Sequence, residues 1–138
     1  MKFSIRDIDH ELLKFRARNE ARQIFLKEST RQNRTEEEIM ATVMYGQAAE
    51  VYLIQYHGFS DDDRIYKDVL DPNGKDVEVK VTECEEYVPF VLSRCNKAAK
   101  DKWRQYPKKL YIFIGDRQTL DYHLYGTYSY NGTNFIKD

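Results

Sequence analysis

Cysteine is scarce in this 138-residue chain, and long apolar runs are missing from it. Cys84 and Cys95 are too few for a disulfide framework, and no matching pair of cysteines or histidines accompanies them to complete a zinc site. No apolar run approaches the roughly 18 residues of a membrane-spanning helix, and the N-terminus has no apolar signal core. We therefore expect a cytoplasmic (intracellular) protein with reduced cysteines and no membrane partner.

The overall composition is that of a folded globular protein. With 41% apolar and 33% charged residues the chain matches ordinary soluble domains, and its aromatic content of 14% argues against disorder. A length of 138 residues suits one hydrophobic core. We predict a single domain over residues 1–138 that begins with a helical segment of about residues 1–34.

Charge is distributed unevenly, although the formal net charge is only -1. Basic residues outnumber acidic ones from Met1 to Arg34 and from Ser93 to Lys109, whereas acidic residues dominate from Thr35 to Leu92. An acidic centre between basic segments suits a metal site that receives a polyanion along basic walls. Solvated helix surfaces would produce the same pattern, so the charges alone leave both interpretations open.

The spacing of apolar residues predicts three helices. The first runs from about Ser4 to Glu28, with an apolar stripe of Ile5, Ile8, Leu12 and Phe15. The second begins at the capping box Thr35-Glu36-Glu37-Glu38 and continues to about Ile54. The third begins at Pro89, because proline is favoured at the first helical position, and runs to about Trp103.

Three runs near the C-terminus predict strands. Leu110 to Ile114 is almost continuously apolar, as in a central strand, and Asp121 to Tyr125 alternates like its neighbour. Tyr128 to Ile136 fits a last edge strand or tail. The order of elements predicts a mixed α/β (α+β) fold.

A β-hairpin around Pro72-Asn73-Gly74 is the sharpest local prediction. The spacing fits a three-residue loop in which a type I turn is closed by Gly74 in the left-handed region. This register pairs Leu70 with Asp76, Val69 with Val77, and Asp68 with Glu78. Like charges directly opposite each other destabilise a sheet, and a bound cation would reverse that effect.

The second strand of the hairpin separates a core face from a polar face. Because side chains alternate, Val77, Val79 and Val81 point one way, and Asp76, Glu78, Lys80 and Thr82 point the other. Carboxylate oxygens from two strands are ligands that suit Mg²⁺ or Mn²⁺. Taken alone, a Glu-x-Lys triplet is more often a pair of solvated residues on an exposed sheet face.

Glu50 falls among small and apolar residues of the second helix. An unpaired carboxylate there would be costly, so either Glu50 lies at the margin of the buried face or a cation satisfies it.

Three features now combine: Gly46-Gln47-Ala48-Ala49-Glu50 on a helix, Asp68 on a strand, and Glu78-Val79-Lys80 on its hairpin partner. This combination resembles the PD-(D/E)xK nuclease superfamily over about Gln47 to Gly126. The proline of the family name is absent, because Lys67 precedes Asp68. Asp71-Pro72 is a competing match, but it lies in the turn, where its carboxylate would face away from the cluster.

The resemblance implies a restriction-endonuclease-like fold, with a central mixed sheet flanked by helices, and metal-dependent hydrolysis of phosphodiester bonds. Asp68 and Glu78 would hold Mg²⁺ or Mn²⁺, with the Val79 carbonyl and Glu50 completing the site. Lys80 would position or deprotonate the attacking water, and the nearby ion would disfavour its charged form. DNA is the expected polymer because the superfamily mostly cuts DNA, and RNA is not excluded.

Basic residues around the end of the third helix would neutralise backbone phosphates, and Trp103 would stack on unpaired bases. The candidates are Lys97, Lys100, Lys102 and Arg104. A domain of this size would act on branched, nicked or single-stranded substrates, or read a short site as a homodimer. The alternatives are a catalytically inactive nucleic-acid-binding or assembly module with the nuclease fold, and an unrelated protein-interaction domain with an acidic docking hairpin.

Overall fold

Three helices are present in the computed structural model, which describes residues 1–28, 34–61 and 69–138. They are α1 (His10–Glu28), α2 (Glu36–Tyr56) and α3 (Val88–Lys100). Short 3₁₀ helices precede α1 at Ile5–Asp7 and α3 at Glu85–Tyr87. None of the helices in these ranges is both long enough and apolar enough to cross a lipid bilayer.

The strands of the described residues form one seven-stranded sheet. They are β1 (Lys2–Ser4), β2 (Ser60–Asp61), β3 (Val69–Leu70), β4 (Asp76–Thr82), β5 (Lys109–Gly115), β6 (Asp121–Tyr130) and β7 (Phe135–Lys137). The order across the sheet is β1-β6-β5-β4-β3-β2, and β7 also pairs with β6.

The sheet is mixed because β4 and β5 are parallel, whereas the other neighbouring strands are antiparallel. A parallel pair requires a long crossover connection, and α3 lies in the connection between β4 and β5. The predicted mixed α+β class is therefore confirmed.

The hairpin between β3 and β4 has the predicted loop. Gly74 has a φ of 79°, which favours glycine, and its N–H donates to the Asp71 carbonyl at 2.8 Å. Val69 pairs with Val77 and Leu70 with Asp76, so the predicted register is confirmed for both described pairs. Asp68 lies outside the described residues, and its pairing with Glu78 stays a prediction.

Helices cover both faces of the sheet, and each face has its own apolar core. On one face, Val51 and Leu53 of α2 belong to a cluster with Val77, Val79 and Phe113. On the other face, the buried residues of α3 belong to a cluster with Leu110 and Ile112 of β5. Side-chain alternation along β4 therefore directs its valines to the α2 face.

Glu78 and Lys80 lie on the opposite side of β4 from those valines. In the parallel register Glu78 is beside Leu110 and Lys80 is beside Ile112, two residues of the α3 core. The predicted division of β4 into an apolar face and a face carrying Glu78 and Lys80 is confirmed. The polar face is not simply solvent-exposed, however, because α3 and the segment after it cover part of it.

The predicted start of the first helix near Ser4 is wrong. Lys2–Ser4 is strand β1, and it pairs with Asp121 to His123 of β6. Helix α1 begins only at His10, where the Asp9 carboxylate accepts hydrogen bonds from the backbone N–H groups of Glu11 and Leu12. A strand of three residues carries too little periodicity to distinguish it from a helical turn.

The predicted apolar stripe of that helix fails at Phe15, although Ile8 is buried and Ile5 and Leu12 pack against the core. Phe15 is 66% exposed, whereas Leu13, Ala17 and Ala21 are fully or almost fully buried. The buried face of α1 is therefore lined largely by alanine, which lets α1 approach α2 closely. Small residues contribute little to an apolar pattern, and the larger but exposed Phe15 dominated the prediction.

Several predicted ends require smaller corrections. Helix α3 begins at Val88, one residue before Pro89, and ends at Lys100 rather than near Trp103. Strand β6 continues to Tyr130, so the last strand contains only Phe135–Lys137. The α2 cap is present: Thr35 Oγ1 accepts from the Glu38 N–H at 3.1 Å.

Candidate active site

A cavity of about 380 Å³ lies beside β4 and collects side chains from distant parts of the chain. Glu50, Glu78 and Lys80, three of the predicted catalytic residues, line it together with Val79. We call it the site cavity. Its walls also include Glu20 and Ile24 of α1, Thr42, Val43, Gly46 and Gln47 of α2, Val81 of β4, and Arg104 and Tyr106 after α3.

Strand β4 presents Glu78 and Lys80 to the cavity as a pair. Lys80 Nζ lies 3.4 Å from Glu78 Oε1, and the side chains are 45% and 12% exposed, respectively. Burial lowers the pKa of Lys80, but the charge of Glu78 and smaller contributions from Cys95, the hydrogen bond to Glu78 and Glu50 together outweigh it, and the net shift is upward. Lys80 therefore carries a positive charge at neutral pH and has an ammonium group that is accessible from solvent.

Helix α2 places Glu50 in a buried position. Glu50 is 6% exposed and lies between Ala49 and Val51, which are both fully buried. Burial raises the pKa of Glu50 to about 8, Arg16 opposes that shift, and Glu78 and Glu20 add to it. Of the two alternatives for Glu50, the one that puts it at the margin of the buried face is therefore wrong.

The cation nearest to Glu50 among the described groups is the guanidinium of Arg16, whose Nη2 lies 3.5 Å from Glu50 Oε2. Arg16 Nε also donates to Gln47 Oε1 at 2.8 Å, and Arg16 Nη1 pairs with Asp61. Gln47 in turn donates to Glu20. We call these five side chains the Arg16 network, and it joins α1, α2 and β2.

Sequence reasoning missed Arg16 as a functional residue. The arginine side chain is only 8% exposed, although Arg16 is not part of the predicted apolar stripe of the first helix. One signal was available: Glu20 follows Arg16 by four residues, a spacing that puts both on one side of a helix. The contact with Glu50 could not be found in this way, because it depends on how α1 packs against α2.

The site cavity has ligands of the kind that a hard divalent cation prefers. Glu20, Glu50 and Glu78 contribute carboxylates, and Val79, whose carbonyl was the further predicted ligand, lines the same cavity. Across residues 1–28, 34–61 and 69–138 there is no group of three His, Cys, Asp or Glu side chains that could hold a metal ion. Of the three predicted site carboxylates, the described part supplies Glu50 and Glu78, and Asp68 lies outside it.

Asp71, the competing carboxylate of the sequence motif, is occupied by the hairpin loop. Its Oδ1 accepts hydrogen bonds from the backbone N–H groups of Asn73 at 2.9 Å and Lys75 at 3.0 Å. The carboxylate therefore stabilises the turn. This agrees with the expectation that Asp71 faces away from the cluster on β4.

A second, larger concavity of about 1050 Å³ adjoins the site cavity. Its basic lining residues are Lys75, Lys100, Lys102, Arg104, Lys108 and Lys109, against three acidic ones, Asp71, Asp76 and Asp101. We call it the basic groove. Of the predicted nucleic-acid-binding residues, Lys100, Lys102 and Arg104 lie here, whereas Lys97 lines a neighbouring depression of about 550 Å³ that also includes Lys100.

Arg104 and Tyr106 join the two concavities, since both line the basic groove and the site cavity. The Arg104 guanidinium lies 5.8 Å from the centre of the Tyr106 ring, and the Tyr106 hydroxyl donates to Cys95 Sγ at 3.4 Å. Burial raises the pKa of Tyr106, and the charge of Glu78 adds to the shift. Tyr106 therefore stays neutral and anchors the junction to α3.

Comparison with known proteins adds no family assignment to this geometry. No protein-family model matches the sequence, and neither the curated proteins nor the solved structures contain a match to it.

Proposed function

We propose that this protein is a divalent-metal-dependent endonuclease that hydrolyses phosphodiester bonds in DNA, with a restriction-endonuclease-like arrangement of the mixed sheet. One observation carries the proposal. The site cavity is lined by Glu50 from α2 together with Glu78 and Lys80 from β4, and it shares Arg104 and Tyr106 with the basic groove. Carboxylates beside an accessible lysine, next to a positively charged groove, suit the cleavage of a polyanion.

The carboxylates would hold the metal. On β4 the ligands would be Glu78 and the Val79 carbonyl, Glu50 would support them from α2, and Asp68 is the further ligand that the sequence motif implies. A bound Mg²⁺ or Mn²⁺ would offset the charge that develops on the scissile phosphate and lower the pKa of a bound water. These oxygen donors fit such an ion because it prefers carboxylate and carbonyl ligands.

Lys80 is the residue proposed to act on the attacking water. Its upward-shifted pKa keeps it protonated, so in this charge state it donates a hydrogen bond and holds the water or a phosphate oxygen in position. A divalent cation would act in the opposite direction on the pKa of Lys80, because two neighbouring positive charges repel each other. Positioning is thus the role that the described electrostatics support.

Arg16 limits what Glu50 contributes. Glu50 already faces a guanidinium at 3.5 Å, and because burial raises its pKa to about 8, it has little negative charge to offer a metal at neutral pH. We therefore assign Glu78 as a principal ligand and Glu50 as a supporting residue that is oriented by the Arg16 network.

The test is incubation of the purified protein with circular, linear, branched and single-stranded DNA, and with RNA, in Mg²⁺, Mn²⁺ or EDTA. We expect cleavage of DNA with either metal and none in EDTA. Thermal melts should also show stabilisation by Mn²⁺ that Asp68→Asn weakens. Salt-sensitive DNA binding without cleavage in any metal would instead favour the inactive binding module, and neither activity would favour the interaction domain.

A further inference from the structure

Trp103 is the sole tryptophan of the chain, and it is 96% exposed. A tryptophan side chain carries one of the largest apolar surfaces of any residue, and tryptophan is on average highly buried in folded proteins. At this exposure both faces of the indole ring are accessible. An aromatic ring presented in this way to solvent is a platform on which a planar ligand can stack.

The backbone around Trp103 is anchored although its side chain is free. The backbone N–H of Trp103 donates to Asp101 Oδ1 at 3.0 Å, and the backbone N–H of Arg104 donates to the Asp101 carbonyl at 3.2 Å. Arg104 then packs over Tyr106, which is bound to Cys95 in the α3 core. The segment is thus attached to the body of the protein on its C-terminal side, and the indole ring stands out from it.

The basic residues beside Trp103 indicate which kind of ligand would stack on its ring. Its two sequence neighbours, Lys102 and Arg104, both line the basic groove, and Lys100 is also part of that lining. Cations that follow a groove contact a phosphate backbone, and an accessible aromatic ring contacts bases. A duplex hides the faces of its bases within the stack, whereas a single strand offers them to a protein ring.

We propose that the basic groove binds a single-stranded DNA segment and that one unpaired base stacks on Trp103. The inference rests on the proposed nuclease function for the choice of DNA, and it names the class of substrate. Because Arg104 and Tyr106 line both concavities, a strand that lies in the groove extends to Glu78 and Lys80. The preferred substrates are then DNA molecules that contain an unpaired strand.

Tryptophan fluorescence tests the proposal directly, since every photon from indole comes from Trp103. The protein is titrated in EDTA with oligothymidylate of about 12 nucleotides, within the usual site sizes of roughly 4–16 nucleotides, and in parallel with a duplex of the same length. We expect the single strand to quench Trp103 and to bind at least about 10-fold more tightly than the duplex. Equal affinities, or binding that leaves the fluorescence unchanged, would overturn the proposal.

Variants separate stacking from charge, with binding followed by anisotropy of a labelled oligonucleotide. Trp103→Ala should weaken single-strand binding on the order of 10- to 100-fold without changing its salt dependence, and Trp103→Phe should retain most of the affinity. Phe90→Ala is the matched control, because Phe90 is 71% exposed at the other end of α3 and its sequence neighbours, unlike those of Trp103, do not line the groove. An effect of Phe90→Ala equal to that of Trp103→Ala would contradict a specific platform.

The outcomes distinguish this inference from the proposed function. Binding in EDTA requires no cleavage. If the protein binds oligothymidylate through Trp103 but cuts no substrate, the single-strand site is supported and the nuclease function is refuted. If the protein cuts duplex DNA and shows no preference for single strands, the nuclease function is supported and only the single-strand site is refuted. Tighter binding of oligouridylate than of oligothymidylate would overturn the choice of DNA.

Discussion

Glu50 and Glu78 line the same cavity but are balanced by two different cations. Glu50 faces Arg16, and both side chains of that pair are only 8% exposed. Glu78 faces Lys80, which is 45% exposed and therefore reaches solvent. The Glu50–Arg16 pair is buried where α1 packs against α2. The Glu78–Lys80 pair lies on β4, where the valines make the packing contacts.

The difference assigns separate roles to two residues that look alike in sequence. A buried pair must remain matched, because loss of one partner leaves an uncompensated charge in an apolar environment. In the second pair only Glu78, at 12% exposure, is buried, and loss of the 45% exposed Lys80 removes little packed surface. Changes near Glu50 should therefore affect stability first, and changes at Lys80 should affect chemistry first.

The largest expected effect is on the exposed pair. Lys80→Ala should reduce single-turnover DNA cleavage by a factor on the order of 10² to 10⁴, the usual contribution of a positioned proton-transfer group. Its melting temperature should remain near that of the unmodified protein, because the half-exposed lysine buries little surface. Glu78→Ala should also abolish cleavage, and it should tighten DNA binding in EDTA because it removes a negative charge.

Lys14→Ala is the matched control for Lys80→Ala, since Lys14 is an exposed lysine of α1. It should leave cleavage unchanged. Retained metal-dependent cleavage by folded Lys80→Ala protein would refute the role of that lysine, and retention by Glu78→Ala as well would remove the nuclease site from β4.

The buried pair is broken by Arg16→Met. Loss of the guanidinium leaves Glu50 without its cation, and we expect the free energy of unfolding to fall by about 3–5 kcal/mol at pH 9, where Glu50 is ionised. At pH 6 the loss should be smaller, because a carboxyl group with a pKa of about 8 is then largely protonated. Chemical denaturation at the two pH values measures both.

Arg18→Met is the control for this prediction, because Arg18 lies on the same helix and is exposed. Its effect should be within about 0.5 kcal/mol, as for most surface substitutions. If Arg16→Met were no more destabilising than Arg18→Met, the Arg16 network would have no structural role.

The pH dependence of stability tests the same pair without removing Arg16. The pKa of Glu50 is about 8 in the folded protein and 4.5 as its ordinary value, so the folded state binds the proton more tightly than the unfolded chain does. The stabilising contribution of the protonated form is complete below about pH 4.5 and is lost as the pH rises through 8.

Glu50→Gln should remove that pH-dependent loss, on the order of a few kcal/mol, because its amide does not ionise. Urea denaturation from pH 5 to pH 9 measures the difference, with Glu37→Gln, an exposed change in the first turn of α2, as the control. Parallel curves for the unmodified protein and Glu50→Gln would show that Glu50 has no raised pKa.

The smallest expected effect distinguishes two sets of basic residues. Replacing Lys100, Lys102 and Arg104 with Ala should weaken single-stranded DNA binding and reduce the slope of log affinity against log salt by roughly 2, at about 0.7 per lost phosphate contact. Lys97→Ala should change the slope less, because Lys97 lies outside the basic groove. Equal slopes for the triple variant and the unmodified protein would make this groove an ordinary solvated surface.

The parts of the site that sequence predicted well are those set by neighbours in the chain. Alternation along β4 is a property of any strand, so it correctly put Glu78 and Lys80 on one side and the valines on the other. The burial of Glu50 was left open between two alternatives, because a helix pattern shows which residues share a face but not how closely a second helix covers that face.

Sequence by itself determined the features that close over a few residues. Gly74 allows the left-handed conformation that ends the loop, and this fixes the pairing of Val69 with Val77. The Thr35 hydroxyl caps α2 through a backbone group three residues away. Such contacts need little chain entropy to close, so local residue types are sufficient to specify them.

Tertiary structure alone decided the features that join distant segments. Lys2 pairs with His123 across almost the whole chain, and Arg16 reaches Glu50 only because the alanine-lined face of α1 lets it pack against α2. The meeting of the basic groove with the site cavity at Arg104 and Tyr106 likewise requires the segment after α3 to fold back beside β4. These contacts depend on how whole helices and strands pack together, and the pattern of neighbouring residues does not predict that packing.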